Sequence, residues 1–129
     1  MNLLLDTHTF VWWRDNPDKL SAKVYDAISS SDNEIFISTV VVWEIQIKLA
    51  INKIKLKLSL ERTIEAEQNA NGFRILPVKL DHALHIDRLP LIHKDPFDRM
   101  LIAQAMVEDM TIISSDKVLA DYDVKLLKF

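Results

Sequence analysis

The sequence contains no cysteine and only one glycine among its 129 residues. Without cysteine there is no disulfide, no thiolate nucleophile and no cysteine-ligated zinc site. With a single glycine, neither the GxGxxG nor the GxxxxGK phosphate-binding loop can be formed. The formal net charge is −3, which argues against a broad basic surface for nucleic acid. These absences exclude several common classes of enzyme and binding site.

Long apolar runs are also missing from the chain. No window approaches 18 uncharged apolar residues, so we expect no membrane-spanning helix. The first residues lack the positive and long apolar regions of a signal peptide, and we expect a cytoplasmic protein. A length of 129 residues fits one domain, and no linker or repeat divides it. We therefore predict a single domain over residues 1–129.

Short apolar strands alternate with helical segments along the chain. The predicted strands cover residues 3–5, 34–38, 73–78, 110–114 and 124–127. Helices are predicted between them, with Ser21, Ser59 and Asp95 at helix starts and Gly72 at a helix end. This alternation predicts an α/β domain with right-handed crossovers and a mostly parallel sheet. Ligands of such sheets bind beyond the carboxyl ends of the strands.

Two aspartates follow predicted strands. Asp6 comes directly after the run 3–5, and Asp116 comes shortly after the strand that ends at Ser114. Each aspartate has an ordinary explanation as a cap of the next helix or turn, and the sequence leaves structural and functional roles open. Ser114 and Ser115 are placed to orient Asp116 by hydrogen bonds.

Glu44 lies among apolar residues of a predicted helix. The positions that share its helical stripe are Val40, Trp43, Ile47 and Ile51. We expect this stripe to be buried or half-buried, and a buried carboxylate needs a nearby cation. An ion pair with Lys48, four residues later, is the structural explanation. The interpretation that we favour is a functional carboxylate.

Two further acids open the helix that begins at Pro96. Asp95 is explained as its N-cap, and Asp98 is placed to complete a capping box. Asp98 also shares a helical stripe with Leu101 and Ile102, so it borders an apolar face. The N-cap therefore accounts for Asp95 better than the capping box accounts for Asp98.

Four acids thus stand out from an ordinary surface, namely Asp6, Glu44, Asp98 and Asp116. In a doubly wound sheet these four acids can converge above one edge, where they repel each other unless a cation is bound. Oxygen ligands without histidine or cysteine favour Mg²⁺ or Mn²⁺. Such an ion activates water for phosphodiester hydrolysis, so the pattern predicts a metal-dependent nuclease.

The segments that carry these acids resemble PIN-domain proteins, specifically VapC-type toxins of type II toxin–antitoxin pairs. The matching segments are 3–8, 42–48, 93–105 and 112–116, in the family's order. The third segment is the most specific. Two turn positions depart from the family's pattern, because Asn52 and Asp123 stand where we expect glycine.

The resemblance implies a three-layer sandwich whose five-stranded sheet has the order 3-2-1-4-5 and is flanked by helices. It implies that the four acids hold one or two Mg²⁺ or Mn²⁺ ions, with Asp95 and Ser114 in support. It further implies an endoribonuclease that acts as the toxin, forms a homodimer and is inhibited by a small cognate antitoxin.

Basic and apolar residues provide weaker indications. Residues 45–60 contain no acid and four lysines, which are Lys48, Lys53, Lys55 and Lys57. This lysine patch is either a solvated face or a surface that steers phosphates. Lys48 and Arg99 are candidate contacts to RNA phosphates, with a carboxylate as the alternative partner of Arg99.

We expect no histidine to bind metal, although His8 is near enough to Asp6 to border the site. The apolar segment 10–13 is a candidate dimer or antitoxin surface.

Two other functions stay open. A haloacid-dehalogenase-like aspartyl phosphatase also carries an aspartate after its first strand, but its motif requires a second aspartate where His8 stands. A PIN-fold interaction module without catalytic activity is the other alternative, and the complete set of four acids argues against it. A phospho-aspartate trapped on Asp6 would favour the phosphatase, and failure to bind Mg²⁺ or Mn²⁺ would favour the inactive module.

Overall fold

A computed structural model describes all residues from 1 to 129. The strands are β1 (Asn2–Leu5), β2 (Glu34–Ser38), β3 (Arg74–Leu76), β4 (Thr111–Ser114) and β5 (Leu126–Lys128). The helices are α1 (Thr7–Asp15), α2 (Ala22–Ser29), α3 (Thr39–Ala50), α4 (Leu60–Asn71), α5 (Leu80–His85) and α6 (Pro96–Glu108). Short 3₁₀ turns cover Pro17–Lys19, Ile86–Arg88 and Lys117–Asp121. None of the helices has the length and apolar character needed to cross a bilayer.

All five strands form one parallel sheet with the order β3-β2-β1-β4-β5. The central strand β1 pairs with β2 on one side, where Leu3 lies opposite Ile35, and with β4 on the other, where Leu4 lies opposite Ile112. The strand order reverses at β1, which places the switch point between the carboxyl ends of β1 and β4. The predicted α/β class, parallel pairing and strand order are confirmed.

Burial along β1 shows that the sheet is covered on both faces. Successive residues of a strand point to opposite faces, yet Leu3, Leu4 and Leu5 are all fully buried. Helices supply the cover on each side, with Phe10 of α1 and Ile102 of α6 buried in the core. Full burial of each such side chain contributes about 1.5–3 kcal/mol, so the core holds the end of β1 in a fixed place.

Local signals place several helix ends where the sequence predicts them. Ser21 and Ser59 cap α2 and α4 through their hydroxyl oxygens, and Gly72 ends α4 in the left-handed region at φ 65°. Asn52 also has a positive φ of 58°, which asparagine tolerates better than most residues, so this turn forms without glycine. Asp123 has no positive φ and does not require a glycine.

Some predicted strand and helix bounds are wrong. The third strand was expected over 73–78 but covers only Arg74–Leu76, since Pro77 cannot donate to the ladder. The last strand covers Leu126–Lys128 rather than 124–127. The helix expected over 80–88 is helical to His85 and continues as a 3₁₀ turn.

The predicted buried face of α3 is also wrong in part. Glu44 and Val40 are buried as expected, and Val41 and Ile45 share their face. Three residues expected beside them are exposed instead, namely Trp43 (61%), Ile47 (39%) and Ile51 (55%). Apolar residues lie on almost every side of this helix, so their spacing alone does not identify the face that meets the sheet.

The apolar segment 10–13 contributes to the core more than to the surface. Phe10 is buried, while Val11, Trp12 and Trp13 are half-buried and pack against the core. Trp13 also stacks near Phe73, with ring centroids 6.2 Å apart. The partly exposed edge of this segment remains a predicted dimer or antitoxin surface.

Candidate functional site

A cleft of about 100 Å³ lies at the carboxyl edge of the sheet, and no apolar side chain lines it. Its lining residues are Asp6, Thr7, His8, Glu44, Lys48, Asp95, Asp98, Ser115 and Asp116. The structure therefore brings together the four acids and the supporting Asp95. Five carboxylates surround this small space, and Lys48 is the lysine among its lining residues.

Asp6 occupies the switch point between β1 and β4. One carboxylate oxygen, Oδ1, accepts from the backbone N–H of Thr9 at 3.0 Å, so Asp6 caps α1. The other, Oδ2, accepts from the Ser114 hydroxyl at 2.5 Å. Burial raises the pKa of Asp6, while the hydrogen bonds from Ser114 and Thr9 and the nearby His8 oppose this rise. Asp6 is thus both the N-cap of α1 and a lining residue of the cleft, so the structural and functional roles that the sequence left open do not exclude each other.

Ser114 joins the ends of the two strands that meet at the switch point. Its hydroxyl donates to Asp6 and accepts from the backbone N–H of Asp116 at 3.0 Å. Asp116 itself is exposed, and its Oδ1 caps the following 3₁₀ turn by accepting from Val118 N–H at 3.1 Å. Ser114 therefore orients Asp116 through the backbone rather than through the carboxylate.

Glu44 is held at both of its carboxylate oxygens. The Thr7 hydroxyl donates to Oε1 at 2.6 Å, and the ammonium of Lys48 lies 2.6 Å from Oε2. The pair with Lys48, which the sequence offered as the structural explanation, is therefore formed at the cleft. Because a buried carboxylate needs a cation, Lys48 supplies a local reason why Glu44 can be buried.

Asp98 enters the cleft from the first turn of α6. Asp95 caps this helix, because its Oδ1 accepts from the backbone N–H groups of Phe97 at 2.9 Å and Asp98 at 3.0 Å. The expected capping box is not formed, since the Asp98 carboxylate turns to His93, whose Nε2 lies 3.1 Å from Oδ2. Burial, with the nearby charges of Asp95 and Asp116, raises the pKa of Asp98 to about 6 against the opposing effect of His93.

The structure places Arg99 away from the cleft. Its guanidinium is buried and donates to the Pro90 carbonyl at 2.8 Å and to the Tyr122 hydroxyl at 3.0 Å. The expectation that Arg99 contacts RNA or a carboxylate is corrected, because its donors are used inside the protein. Lys53, Lys55 and Lys57 are exposed and do not line the cleft.

Sequence reasoning does not single out two residues at or beside the cleft. Thr7 lines it, and His93 contacts Asp98 from the loop before α6. Ser115, which the sequence placed beside Asp116, also lines the cleft. The four histidines have no ligand spacing, and a hydroxyl next to an acid is too common to single out. Only the packing of distant segments identifies these contacts.

The donors in the cleft fit a divalent cation in kind. Carboxylate and hydroxyl oxygens are ligands that Mg²⁺ and Mn²⁺ prefer. In the structure, no three acidic or histidine side chains lie close enough together to hold one ion. Asp6, Glu44 and Asp98 bond to protein partners instead. Ion binding therefore requires at least some of these carboxylates to turn from their present partners.

A comparison with protein families matches residues 3–125 to the model described as PIN domain. Among solved structures, the fold is similar to that of a chain of VapBC2 from Rickettsia felis bound to a DNA fragment from their promoter. That match has a TM-score of 0.76 and 16% identity, and it covers 100% of this chain and 99% of the other. No curated protein matches the sequence.

Two further solved structures have similar folds. A chain of DNA-bound VapBC from Salmonella typhimurium matches with a TM-score of 0.68 and 14% identity, over 99% of this chain and 98% of the other. A chain of FitAcB from Neisseria gonorrhoeae matches with a TM-score of 0.65 and 18% identity, over 98% of this chain and 96% of the other. At these identities, the likeness concerns the fold.

Proposed function

The chain belongs to the PIN domain family, and from this premise we propose that it is a metal-dependent endoribonuclease, the toxin of a type II toxin–antitoxin pair. The observation that carries the proposal is the cleft in which Asp6, Glu44, Asp98 and Asp116 meet. A polar cleft without apolar lining suits a phosphodiester better than an apolar ligand. The similarity of the fold to chains of VapBC complexes supports the role of toxin.

Asp6, Asp98 and Asp116 are the residues that would hold Mg²⁺ or Mn²⁺. When bound, such an ion makes water a stronger acid and stabilises the leaving oxygen of a phosphodiester. Asp98 or Asp116, which line the same cleft, would orient the attacking water. His93 engages Oδ2 of Asp98 and leaves Oδ1 without a protein partner, so Oδ1 of the ionised Asp98 is the atom that would accept a proton from water.

The resemblance implies that Glu44 holds the ion with the other three acids, but we propose a different role for it. Thr7 and Lys48 hold it on the wall of the cleft, where its negative charge adds to the attraction for a cation. Lys48 remains our candidate for a contact with RNA phosphate, although its ammonium already pairs with Glu44. An RNA phosphate would have to share Lys48 with this carboxylate.

An antitoxin and a second copy of the chain are the proposed protein partners. The complexes formed by proteins of similar fold support the antitoxin. An arginine of that antitoxin would inhibit the enzyme by pairing with the clustered carboxylates, because its planar guanidinium matches them. The exposed apolar residues Trp43 and Ile47 of α3, with Ile51 directly after the helix, support a homodimer.

The test is cleavage of labelled RNA by the purified protein with Mg²⁺, with Mn²⁺ and with EDTA. The variant Asp6→Asn removes the charge but keeps a good N-cap for α1, so it separates chemistry from folding. Asp32→Asn, which changes an exposed aspartate outside the cleft, is the matched control. We expect cleavage only with metal, and a loss of at least about 100-fold for Asp6→Asn alone, as when a transition-state-stabilising group is removed.

Equal cleavage by the wild type and Asp6→Asn would overturn the assignment of the site. Cleavage that persists in EDTA would overturn the dependence on metal. The same assay with a phosphate monoester tests the phosphatase alternative, which requires a phospho-aspartate on Asp6. Membership of the PIN domain family argues against that alternative.

A further inference from the structure

A chain of hydrogen bonds leads from the cleft into the interior of the protein. It begins at Asp98 Oδ2, which lies 3.1 Å from His93 Nε2. The other ring nitrogen of His93, Nδ1, lies 2.7 Å from the hydroxyl of Tyr122. The Tyr122 hydroxyl in turn lies 3.0 Å from Nη1 of Arg99. His93, Tyr122 and Arg99 do not line the cleft, so the lining residues alone do not reveal this series of hydrogen bonds.

Both interior members of this chain are well shielded from water. Tyr122 is 4% exposed and Arg99 is 8% exposed. They come from different parts of the fold, since Arg99 lies in α6 and Tyr122 follows the 3₁₀ turn Lys117–Asp121. In such surroundings every polar hydrogen needs an acceptor, so the direction of each bond can be worked out.

The direction of the bonds follows from the number of hydrogens on each group. Arginine is a donor only, so the Tyr122 oxygen accepts from Arg99. The backbone N–H of His93 also points to this oxygen, at 3.4 Å. The single hydrogen of the Tyr122 hydroxyl has one acceptor within reach, which is Nδ1 of His93. A neutral His93 therefore carries its own proton on Nε2, where it is donated to Asp98.

We propose that Arg99 and Tyr122 are positioning residues that fix the tautomer of His93, and that His93 in turn fixes the orientation of Asp98 in the cleft. The Nε2–H group holds Oδ2, which leaves Oδ1 directed to the ion or the water. The proposal rests on the proposed function, because the ion to which Oδ1 is directed is the divalent ion of the nuclease. Outer partners of this kind orient the ligands of metal sites in general.

Besides the Tyr122 hydroxyl, Arg99 contacts two backbone carbonyl oxygens, that of Pro90 and, at 3.4 Å, that of His93, which suggests a purely structural role. It donates to the carbonyl of Pro90 at 2.8 Å and so braces the loop that carries His93. The variant Tyr122→Phe separates the two roles, because it removes one oxygen and leaves the bond from Arg99 to Pro90. The phenyl ring also keeps the packing against His93, whose ring centroid lies 5.4 Å from that of Tyr122.

The first measurement is the tautomer of His93 by ¹⁵N NMR at pH 8, without metal. We expect the proton on Nε2 in the wild type and a mixture of tautomers in Tyr122→Phe. The exposed Tyr25, altered to Phe, is the matched control and leaves the tautomer unchanged. A wild-type proton on Nδ1 would overturn the proposal, whether or not any variant folds.

The second measurement is the binding of Mn²⁺ alone by calorimetry. We expect Tyr122→Phe to weaken binding by about 10-fold, as loss of an outer partner of a metal ligand does. The variant His93→Gln keeps an N–H donor near Asp98 that needs no tautomer, so we expect it to bind nearly as the wild type does. In the His93→Gln background, Tyr122→Phe should then have no further effect on Mn²⁺ binding.

The outcomes separate this inference from the proposed function. Wild-type affinity in Tyr122→Phe, or an equal loss in both backgrounds, would overturn the positioning role. A wild type that binds Mn²⁺ with the expected tautomer but cleaves no RNA would refute the nuclease and leave the positioning role standing.

Discussion

The hydroxyl of Thr7 donates a hydrogen bond of 2.6 Å to Oε1 of Glu44, across 37 positions of the sequence. Thr7 begins the helix after β1, and Glu44 lies in the helix after β2. The bond therefore ties together the two helices that follow neighbouring strands. Since Lys48 takes the other oxygen, Glu44 has little freedom to turn toward an ion.

The bond between Thr7 and Glu44 predicts a stability effect. The change Thr7→Val keeps the shape of the side chain but leaves a buried carboxylate oxygen without its donor, which costs about 1–3 kcal/mol. Thr7→Ser keeps the hydroxyl and serves as the matched control. Urea unfolding monitored by circular dichroism measures both variants. Equal stability of Thr7→Val and the wild type would contradict the assigned bond.

Lys48 is a fixed positive charge in a cleft that is otherwise acidic. The change Lys48→Met removes the repulsion between its ammonium and a divalent ion, so we expect Mn²⁺ to bind roughly 3- to 10-fold more tightly. Lys53→Met carries the same change of charge outside the cleft and should leave the affinity nearly unchanged. Calorimetry at low ionic strength makes the comparison, and weaker binding by Lys48→Met would contradict the electrostatic argument.

RNA binding by the same two variants tests whether Lys48 contacts phosphate. A lysine that neutralises one phosphate contributes about 0.7 to the salt slope of single-strand binding. If Lys48 makes such a contact, the slope of log K against log salt falls by about that amount in Lys48→Met. An unchanged slope would assign Lys48 to Glu44 alone.

The raised pKa of Asp98 predicts how stability depends on pH in the absence of metal. The pKa of Asp98 is about 6 in the folded state and about 3.8 when the carboxyl is free in solution, as in the unfolded state. The folded state therefore binds more protons than the unfolded state between these two pH values. Stability therefore falls as pH rises from about 4 to 6, and the full penalty is present at pH 7. Asp98→Asn removes the penalty, so we expect it to be more stable by about 1–2 kcal/mol at pH 7, allowing for partial exposure.

Thermal unfolding at pH 7 and pH 4 in EDTA checks this dependence. The advantage of Asp98→Asn should shrink to a small fraction at pH 4, where the folded wild type is almost fully protonated and the unfolded wild type is partly protonated. Asp32→Asn, at an exposed site, controls for the general effect of removing a charge. If the difference in stability between Asp98→Asn and the wild type is the same at pH 7 and pH 4, the raised pKa of Asp98 is not its cause.

A buried cluster remote from the cleft predicts a larger loss of stability. Glu67 is buried in α4 and accepts hydrogen bonds from Trp13 at 2.9 Å, Arg14 at 3.0 Å and Asn71 at 2.6 Å. Glu67→Ala leaves the partly buried Arg14 without its carboxylate, which costs about 3 kcal/mol or more. Glu65→Ala, on the exposed side of the same helix, should cost far less in urea unfolding.

The sequence by itself determined the class of fold and the region of the site. Apolar runs such as Leu3–Leu5 alternate with capped helices, and this order leaves little choice but parallel strands with crossovers. It also determined that Asp6 and Asp116 lie at strand ends, because each follows its strand within two residues. These features depend on neighbours in the chain, and neighbours are what a sequence displays.

Tertiary structure alone decided which side chains meet. The exposed position of Trp43, the burial of Arg99 and the contact of His93 with Asp98 depend on how helices rotate and loops pack against the sheet. A helix that is apolar on nearly all sides gives no sign of its rotation, and a single arginine gives no sign of its partner. Such choices are made by packing and by the need of buried polar groups for partners, which joins residues far apart in the chain.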